Sequence, residues 1–219
     1  EYNSRNGFTI PLKLRPRLMY DVATHPRWLT GVILRYLAGE GMPKHMNYPE
    51  QYRDSIVRGI NTTYDLRADN LTWDDVTELR RLWPRVLMVK GIQRADDARR
   101  CAERGVDCIV VSNHGGRNLD PSRAPLDVLP EVVDAVGDRT AVMTDGGVTR
   151  GSDIAKALAL GARGVLVGRS TLYGMSVGGQ AGAEHALALL KSEFHRTMGY
   201  IGCRSVDEIG RDLVVAANA

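Results

Sequence analysis

The chain has 219 residues, of which 43% are apolar and 25% charged, the make-up of a globular protein able to bury a sizeable core, with one domain as the default. Its formal net charge of +3 is too small to signal a polyanionic partner, and no aromatic-basic repeat, zinc-finger spacing or basic helix is present, which argues against nucleic acid. Cys101, Cys108 and Cys203 are an odd number without C-x-x-C spacing, and they point to a reducing compartment and away from a structural metal.

No apolar run approaches the ~20 residues that span a bilayer. Glu1 to Gly7 is polar, unlike a secretory signal, and because Glu1 is not a methionine the sequence reads as beginning inside a longer precursor. Residues 1–70 lack regular alternation and form a loop or insertion region. Within it, Pro26 to Gly41 carries Leu29, Val32, Ile33, Tyr36 and Leu37 at helical spacing. Arg27 and Arg35 lie off that stripe, and Lys13, Arg15 and Arg17 lie just upstream. Two readings stand level: an amphipathic helix lying on a membrane surface, and a helix packed on the rest of the fold or on another subunit.

From Leu71 onward short apolar runs alternate with helical periodicity, the pattern of strand-helix units in a parallel sheet. Thr72 is an N-cap with Asp75 in the capping-box position, leading a helix whose Val76, Leu79 and Leu82 face inward. Strands are predicted over Val86 to Val89, Cys108 to Val111, Ala141 to Met143 and Val165 to Val167, each short and apolar as expected when both faces are buried. Helices carrying Ala95, Ala98 and Ala102, then Leu129, Val132, Val133 and Val136, then Ile154, Ala157 and Leu158 end at Gly105, Gly137 and Gly161. A last helix, Leu187 to Ile201, sets Leu187, Leu190, Phe194, Met198 and Ile201 on one stripe.

Each predicted strand is followed by a polar or glycine-rich group: Lys90-Gly91, Ser112 to Arg117, Thr144 to Gly147, and Gly168-Arg169. A (β/α)8 barrel places its chemistry at that end of the strands and commonly holds phosphate in the loops after the last two. The fold class is therefore α/β, with 71–219 as the C-terminal half (strands 5–8) of such a barrel. No G-x-G-x-x-G occurs to support a dinucleotide fold.

His114, displayed after a buried strand and followed by two glycines, suits a base near neutral pH, and Arg117 suits a carboxylate. A lone loop histidine would more often be a surface residue; Arg117 shifts that balance. Lys90 ends an apolar strand, so its charge meets either an electron-rich cofactor ring or a local carboxylate, and the two stand equal. Asp145-Gly146-Gly147 with Ser152, and Gly168-Arg169, offer N–H groups to an anion, although each glycine turn alone is more often an ordinary loop.

In order and spacing, Val89-Lys90-Gly91, Ser112 to Asp120 (SNHGGRNLD), Asp145 to Gly151 (DGGVTRG), Lys156 to Ala162 (KALALGA) and Val167-Gly168-Arg169 resemble the FMN-dependent 2-hydroxy-acid dehydrogenase and oxidase family. SNHGGR-x-LD is specific and speaks against another phosphate-binding barrel such as an isomerase, whereas DGG and GR are shared by many. The segment His25 to Trp28 looks most like the membrane-associated (S)-mandelate and L-lactate dehydrogenase branch.

The resemblance implies FMN as cofactor and oxidation of an (S)-2-hydroxy acid. Lys90 would stabilise the reduced flavin and Ser112 would touch its ring. His114 would take a substrate proton and Arg117 would hold the substrate carboxylate. Asp145, Gly146, Gly147, Val148, Thr149, Gly168 and Arg169 would hold the ribityl chain and phosphate, although the family usually has arginine where Thr149 stands. A second carboxylate-binding arginine would fall directly before Glu1, and the aspartate orienting the histidine further upstream. Four strands cannot close a barrel, so the N-terminal half is expected as a separate or cleaved chain, or this is only part of the enzyme. The resemblance also implies a homo-oligomer of tetramer type and a cytoplasmic location, peripheral on the inner membrane with a quinone-type acceptor. The rival from another class is a non-catalytic half-barrel that binds a phosphate ligand or a partner chain.

Overall fold

The computed structural model describes residues 13, 15–39, 41–44, 46, 50, 53, 55 and 70–215. The chain divides into two compact units, Glu1–Leu71 and Thr72–Ala219. In the first, helix α1 (Pro16–Thr24) begins on a proline, whose fixed φ suits a first helical turn. A break at His25 separates it from α2 (Pro26–Trp28), which runs through a π-helical segment (Leu29–Leu34) into α3 (Arg35–Ala38). The π segment rotates the stripe read from sequence, since each wide turn shifts later side chains around the axis. Leu29, Val32 and Ile33 are half-buried, while Trp28, Leu34, Tyr36 and Leu37 are exposed.

The second unit consists of β/α units. Helix α4 (Trp73–Leu82) starts as expected: the Thr72 N–H and Oγ1 donate to Asp75 Oδ2 at 2.6 and 2.8 Å. There follow β1 (Met88–Ile92), α5 (Ala95–Glu103), β2 (Cys108–Val111), α6 (Pro125–Val136), β3 (Ala141–Thr144), α7 (Gly151–Ala159) and α8 (Arg169–Tyr200). The three strands form a parallel sheet in sequence order. Such order, with a helix after each strand, is the winding of a β/α barrel.

Four details depart from the sequence reading. The first strand lies two residues later, because Val86 is exposed and the run from Met88 pairs instead, through Lys90↔Val110 and, past a bulge, Ile92↔Val111. Lys90 is thus inside the strand rather than after it. The fourth strand is reduced to a single parallel bridge, Thr144↔Val165, reinforced by the Leu166 N–H on Thr144 O at 2.9 Å. Leu79 and Leu82 of α4 are exposed, and the contact with the core is made by Trp73 and Val76. The last helix begins at Arg169, is interrupted at Gly178 and Gly179, and leaves Leu187 exposed while Leu190 and Met198 are buried.

The main core lies between sheet and helices. It joins Ala98 and Cys101 of α5, Ile109 and Val111 of β2, Val128, Leu129, Val132 and Val136 of α6, and Val142 of β3. Alternation along a strand sends successive side chains to opposite faces. With Val89, Ile109 and Val142 in register on the helix side, Lys90 and its register partner Val110 point to the other face, the barrel interior. A second cluster, Ala159, Met198 and Ile209 with Phe194 and Ile201, fastens α7 to α8.

Candidate active site

The C-terminal ends of the three strands bring three polar side chains together. Lys90 Nζ donates to Ser112 Oγ at 2.8 Å and pairs with Asp145 Oδ2 at 2.8 Å. Of the two sequence alternatives for Lys90, the local carboxylate is the one found here. Asp145 itself is only 17% exposed, and its Oδ1 is buried without a hydrogen-bond partner. A buried carboxylate oxygen left unpaired is costly, so a donor from a bound molecule would find a ready acceptor there.

His114 stands beside this group. Its N–H donates to the same Ser112 Oγ at 3.1 Å, and its side chain is exposed at the rim. It occupies the left-handed region (φ 57), followed by Gly115 (φ 70) and Gly116 (φ 73). Left-handed backbone is rare for residues with a Cβ and readily adopted by glycine, so the two glycines continue a turn that His114 enters under strain. Arg117 follows the turn, exposed and without an ion pair among the described residues.

Two further loops close on the same rim. The N–H groups of Gly146, Gly147 and Val148 have no protein acceptor among the described residues, nor do those of Gly168 and Arg169. Ser170 Oγ donates to Val148 O at 3.2 Å and ties the two loops together. A methyl group on Gly147 or Gly168 would meet nothing within 4 Å, and one on Gly115 would lie 3.9 Å from the Arg169 guanidinium. The loops therefore leave an open, N–H-lined concavity beside a cation, a surface suited to phosphate. Thr149 is turned elsewhere: its N–H and hydroxyl donate to Asp153 Oδ2 at 3.0 and 3.3 Å. Ser152 lies in the first turn of α7, one residue after the start at Gly151.

Several supporting residues were not singled out from the sequence. Asn113 Oδ1 accepts from the N–H of Gly115 (3.0 Å) and Gly116 (3.2 Å). The carbonyl of Arg123 accepts from Asn113 Nδ2 (3.3 Å) and from Gln93 Nε2 (3.2 Å). Glu193 of α8 accepts from the Gly151 N–H at 3.0 Å and from Arg150 at 2.9 Å. These bonds, with the Gly151 N–H foremost, hold its carboxyl below the usual range. An asparagine two residues before glycines is a recognisable turn signal; the Glu193 contact spans the chain and has no local signature. A cavity of about 240 Å³ is lined by Arg150 and Ser152 at the start of α7 and by Glu193, Arg196, Thr197 and Tyr200 of α8.

Fold and site together define the C-terminal half of a (β/α)8 barrel whose strand ends present a partly exposed, paired ammonium group and a rim of open N–H groups. The profile of the FMN-dependent dehydrogenase family matches residues 1–216, and the chain belongs to that family. It is 38% identical over 212 residues to the (S)-mandelate dehydrogenase of Pseudomonas putida, covering 97% of this chain and 52% of that protein. It is 53% identical over 139 residues to a Nostoc L-lactate oxidase, covering 64% of this chain and 38% of that protein. Among solved structures, monotopic membrane (S)-mandelate dehydrogenase superposes with a TM-score of 0.85 at 36% identity, over 98% of this chain and 56% of that one. Flavocytochrome b2 with pyruvate bound superposes at 0.66 and 39%, over 71% and 43%. The chain thus spans about half the length of the curated relatives it matches. The unpaired Asp145 Oδ1, the open N–H groups and the Lys90 ammonium fit the polar chain, phosphate and electron-rich ring of FMN, the family's cofactor.

Proposed function

We propose that this chain supplies the C-terminal half of an FMN-dependent enzyme that oxidises an (S)-2-hydroxy acid of the mandelate or lactate type to the 2-oxo acid. The observation that carries the reading is the Lys90 ammonium held between Ser112 Oγ and Asp145 Oδ2, with the His114 turn on the same serine. FMN, when bound, would accept the two electrons and the second of the two protons that the oxidation releases, His114 taking the first. Gly146, Gly147 and Val148 with Gly168 and Arg169 would hold its ribityl chain and phosphate, and the unpaired Asp145 Oδ1 would accept from a ribityl hydroxyl, whereas Thr149 is committed to Asp153. Ser112 and Lys90 would meet the ring, where a fixed cation would stabilise negative charge. Arg117 binds the substrate carboxylate through paired N–H bonds. His114 takes one proton from the substrate's hydroxyl-bearing carbon unit as the electrons leave.

The rest of the site comes from an N-terminal half-barrel, which brings a second carboxylate-binding arginine and the aspartate that orients His114. The assembled enzyme is a homo-oligomer. It lies peripherally on a membrane and passes its electrons to a quinone-type acceptor. Supporting this are the monotopic relative and the exposed Met19, Tyr20, Trp28, Leu34 and Leu37 along α1 to α3, an apolar supply suited to an interface. No helix among the described residues is long and apolar enough to cross a membrane.

The test is spectroscopic. Purified protein containing both halves should show the visible flavin bands, and these should bleach anaerobically on adding (S)-mandelate or L-lactate. Absence of flavin, or flavin that neither substrate reduces, overturns the proposal. Deleting residues 26–41 should release the protein from membranes with activity retained, and unchanged partitioning removes the membrane assignment.

A further inference from the structure

We propose that Asn113 is a positioning residue, which fixes the turn carrying His114 and so sets where the imidazole stands. This rests on the reading of His114 as proton acceptor. Three successive residues, His114, Gly115 and Gly116, hold left-handed φ values of 57, 70 and 73°. Their N–H groups are taken up locally: His114 on Ser112 Oγ, Gly115 on Asn113 Oδ1 at 3.0 Å, and Gly116 shared between Asn113 Oδ1 at 3.2 Å and the Asn113 carbonyl at 3.1 Å. Backbone N–H groups exposed by such a turn need acceptors, and here they are supplied from inside the chain, the Gly115 N–H, among the described residues, by Asn113 Oδ1 alone.

The amide is also held at its other end. Asn113 Nδ2 donates to the carbonyl of Arg123, which Gln93 Nε2 binds as well. A methyl on Gly146 would lie 3.6 Å from Asn113 Oδ1, so the amide also lies close to the DGG loop. Asn113 and Gln93 thus share the Arg123 carbonyl, and the Asn113 oxygen orders a turn whose first residue holds a rare backbone conformation. Asparagine fits this position because one side chain must accept two N–H bonds and donate one at the same time.

The experiment compares Asn113→Ala, Asn113→Asp and His114→Gln in the flavin-loaded two-half protein. By hydrogen exchange, Asn113→Ala should speed exchange of the Gly115 amide about 10-fold or more, and that of Gly116 less because it keeps the carbonyl of residue 113, while β2 keeps its protection. At saturating hydroxy acid, flavin reduction should slow by roughly 30- to 100-fold, the scale of a misplaced reacting group. The substrate Kd should move less than about 3-fold. Asn113→Asp keeps the acceptor and should restore the rate to within about 5-fold of wild type. Wild-type exchange at Gly115, a reduction rate in Asn113→Ala within about 3-fold of wild type, or an Asp variant no better than Ala overturns the proposal. His114→Gln separates the two readings: fast reduction there removes His114 as proton acceptor, whereas the exchange data still judge the hold of Asn113 on the turn. If Asn113→Ala does not fold, Asn113→Asp and the shorter Asn113→Ser carry the comparison, with Asp expected above Ser and the opposite order or equality overturning the idea.

Discussion

Replacing Lys90 by methionine keeps the side chain's length and removes its charge, so it isolates the ion pair with Asp145. An exposed pair contributes at most about 1 kcal/mol, whereas removing one member of a buried pair costs roughly 3–5 kcal/mol. This pair lies between, since Asp145 is 17% exposed and Lys90 39%. Asp145 also has one oxygen already unpaired, so the variant leaves a largely enclosed carboxylate with neither oxygen satisfied. We expect Lys90→Met to cost about 2 kcal/mol, after discounting for solvent at the lysine. Asp145→Asn should cost about 1 kcal/mol, because Lys90 keeps its bond to Ser112. The double variant should cost less than the sum by about 1 kcal/mol, the range found for side chains in direct contact. Urea unfolding followed by circular dichroism, extrapolated to water, measures each corner of the cycle. A coupling below about 0.3 kcal/mol would mean that the pair is not formed and would refute the geometry of the site.

Other consequences follow from the packing and charges. Gly151→Ala would place a methyl 2.0 Å from the Phe194 nitrogen; α7 must shift from α8, and thermal unfolding should report a loss of about 2–4 kcal/mol. Burial, with the charge of Asp97 adding, pushes the Cys101 thiol up to about 11, and burial raises Cys108 too. Alkylation of native protein at mildly alkaline pH should mark Cys203 alone by mass spectrometry, and label on Cys101 would contradict the core assignment. Asp107 is held below its ordinary value first by the Leu87 N–H and then by Arg80, and Asp75 by the Thr72 N–H. Depressed carboxylates stabilise the fold above their unfolded pKa near about 4, and that contribution is lost as pH falls through the folded values. The urea midpoint should therefore hold from neutrality to about pH 5 and then decline, and a rise on acidification would contradict these contacts. Arg117→Lys should raise KM for the hydroxy acid about 10-fold or more, since an ammonium group cannot bind a carboxylate through a planar fork.

Much of this was readable in the sequence, for identifiable reasons. Cys108 to Val111 is buried at every position, and a continuous apolar run is what a central parallel strand requires. The Thr72 cap and the loop glycines are local features with local causes. Lys90 misled the boundary of β1, because a charge reads as the end of an apolar strand, whereas here the sheet continues past it and its ammonium is satisfied by two neighbouring strand ends. Val165 to Val167 has a strand's composition, yet pairing depends on neighbours, and among the described residues only Thr144 bridges it. Leu79 and Leu82 obey helical spacing but lie exposed, since periodicity says which residues share a face and not what covers it. Glu193, which binds the start of α7 from α8, depended on tertiary placement and left no trace in local pattern.

The role of His114 admits one direct measurement: anaerobic rapid mixing of flavin-loaded wild type and His114→Gln with (S)-mandelate or L-lactate. Equal flavin content, with reduction in the variant slower by about 100-fold or more, is the predicted result for loss of a general base. Reduction at the wild-type rate would contradict it and leave the cluster at the strand ends as a binding site alone.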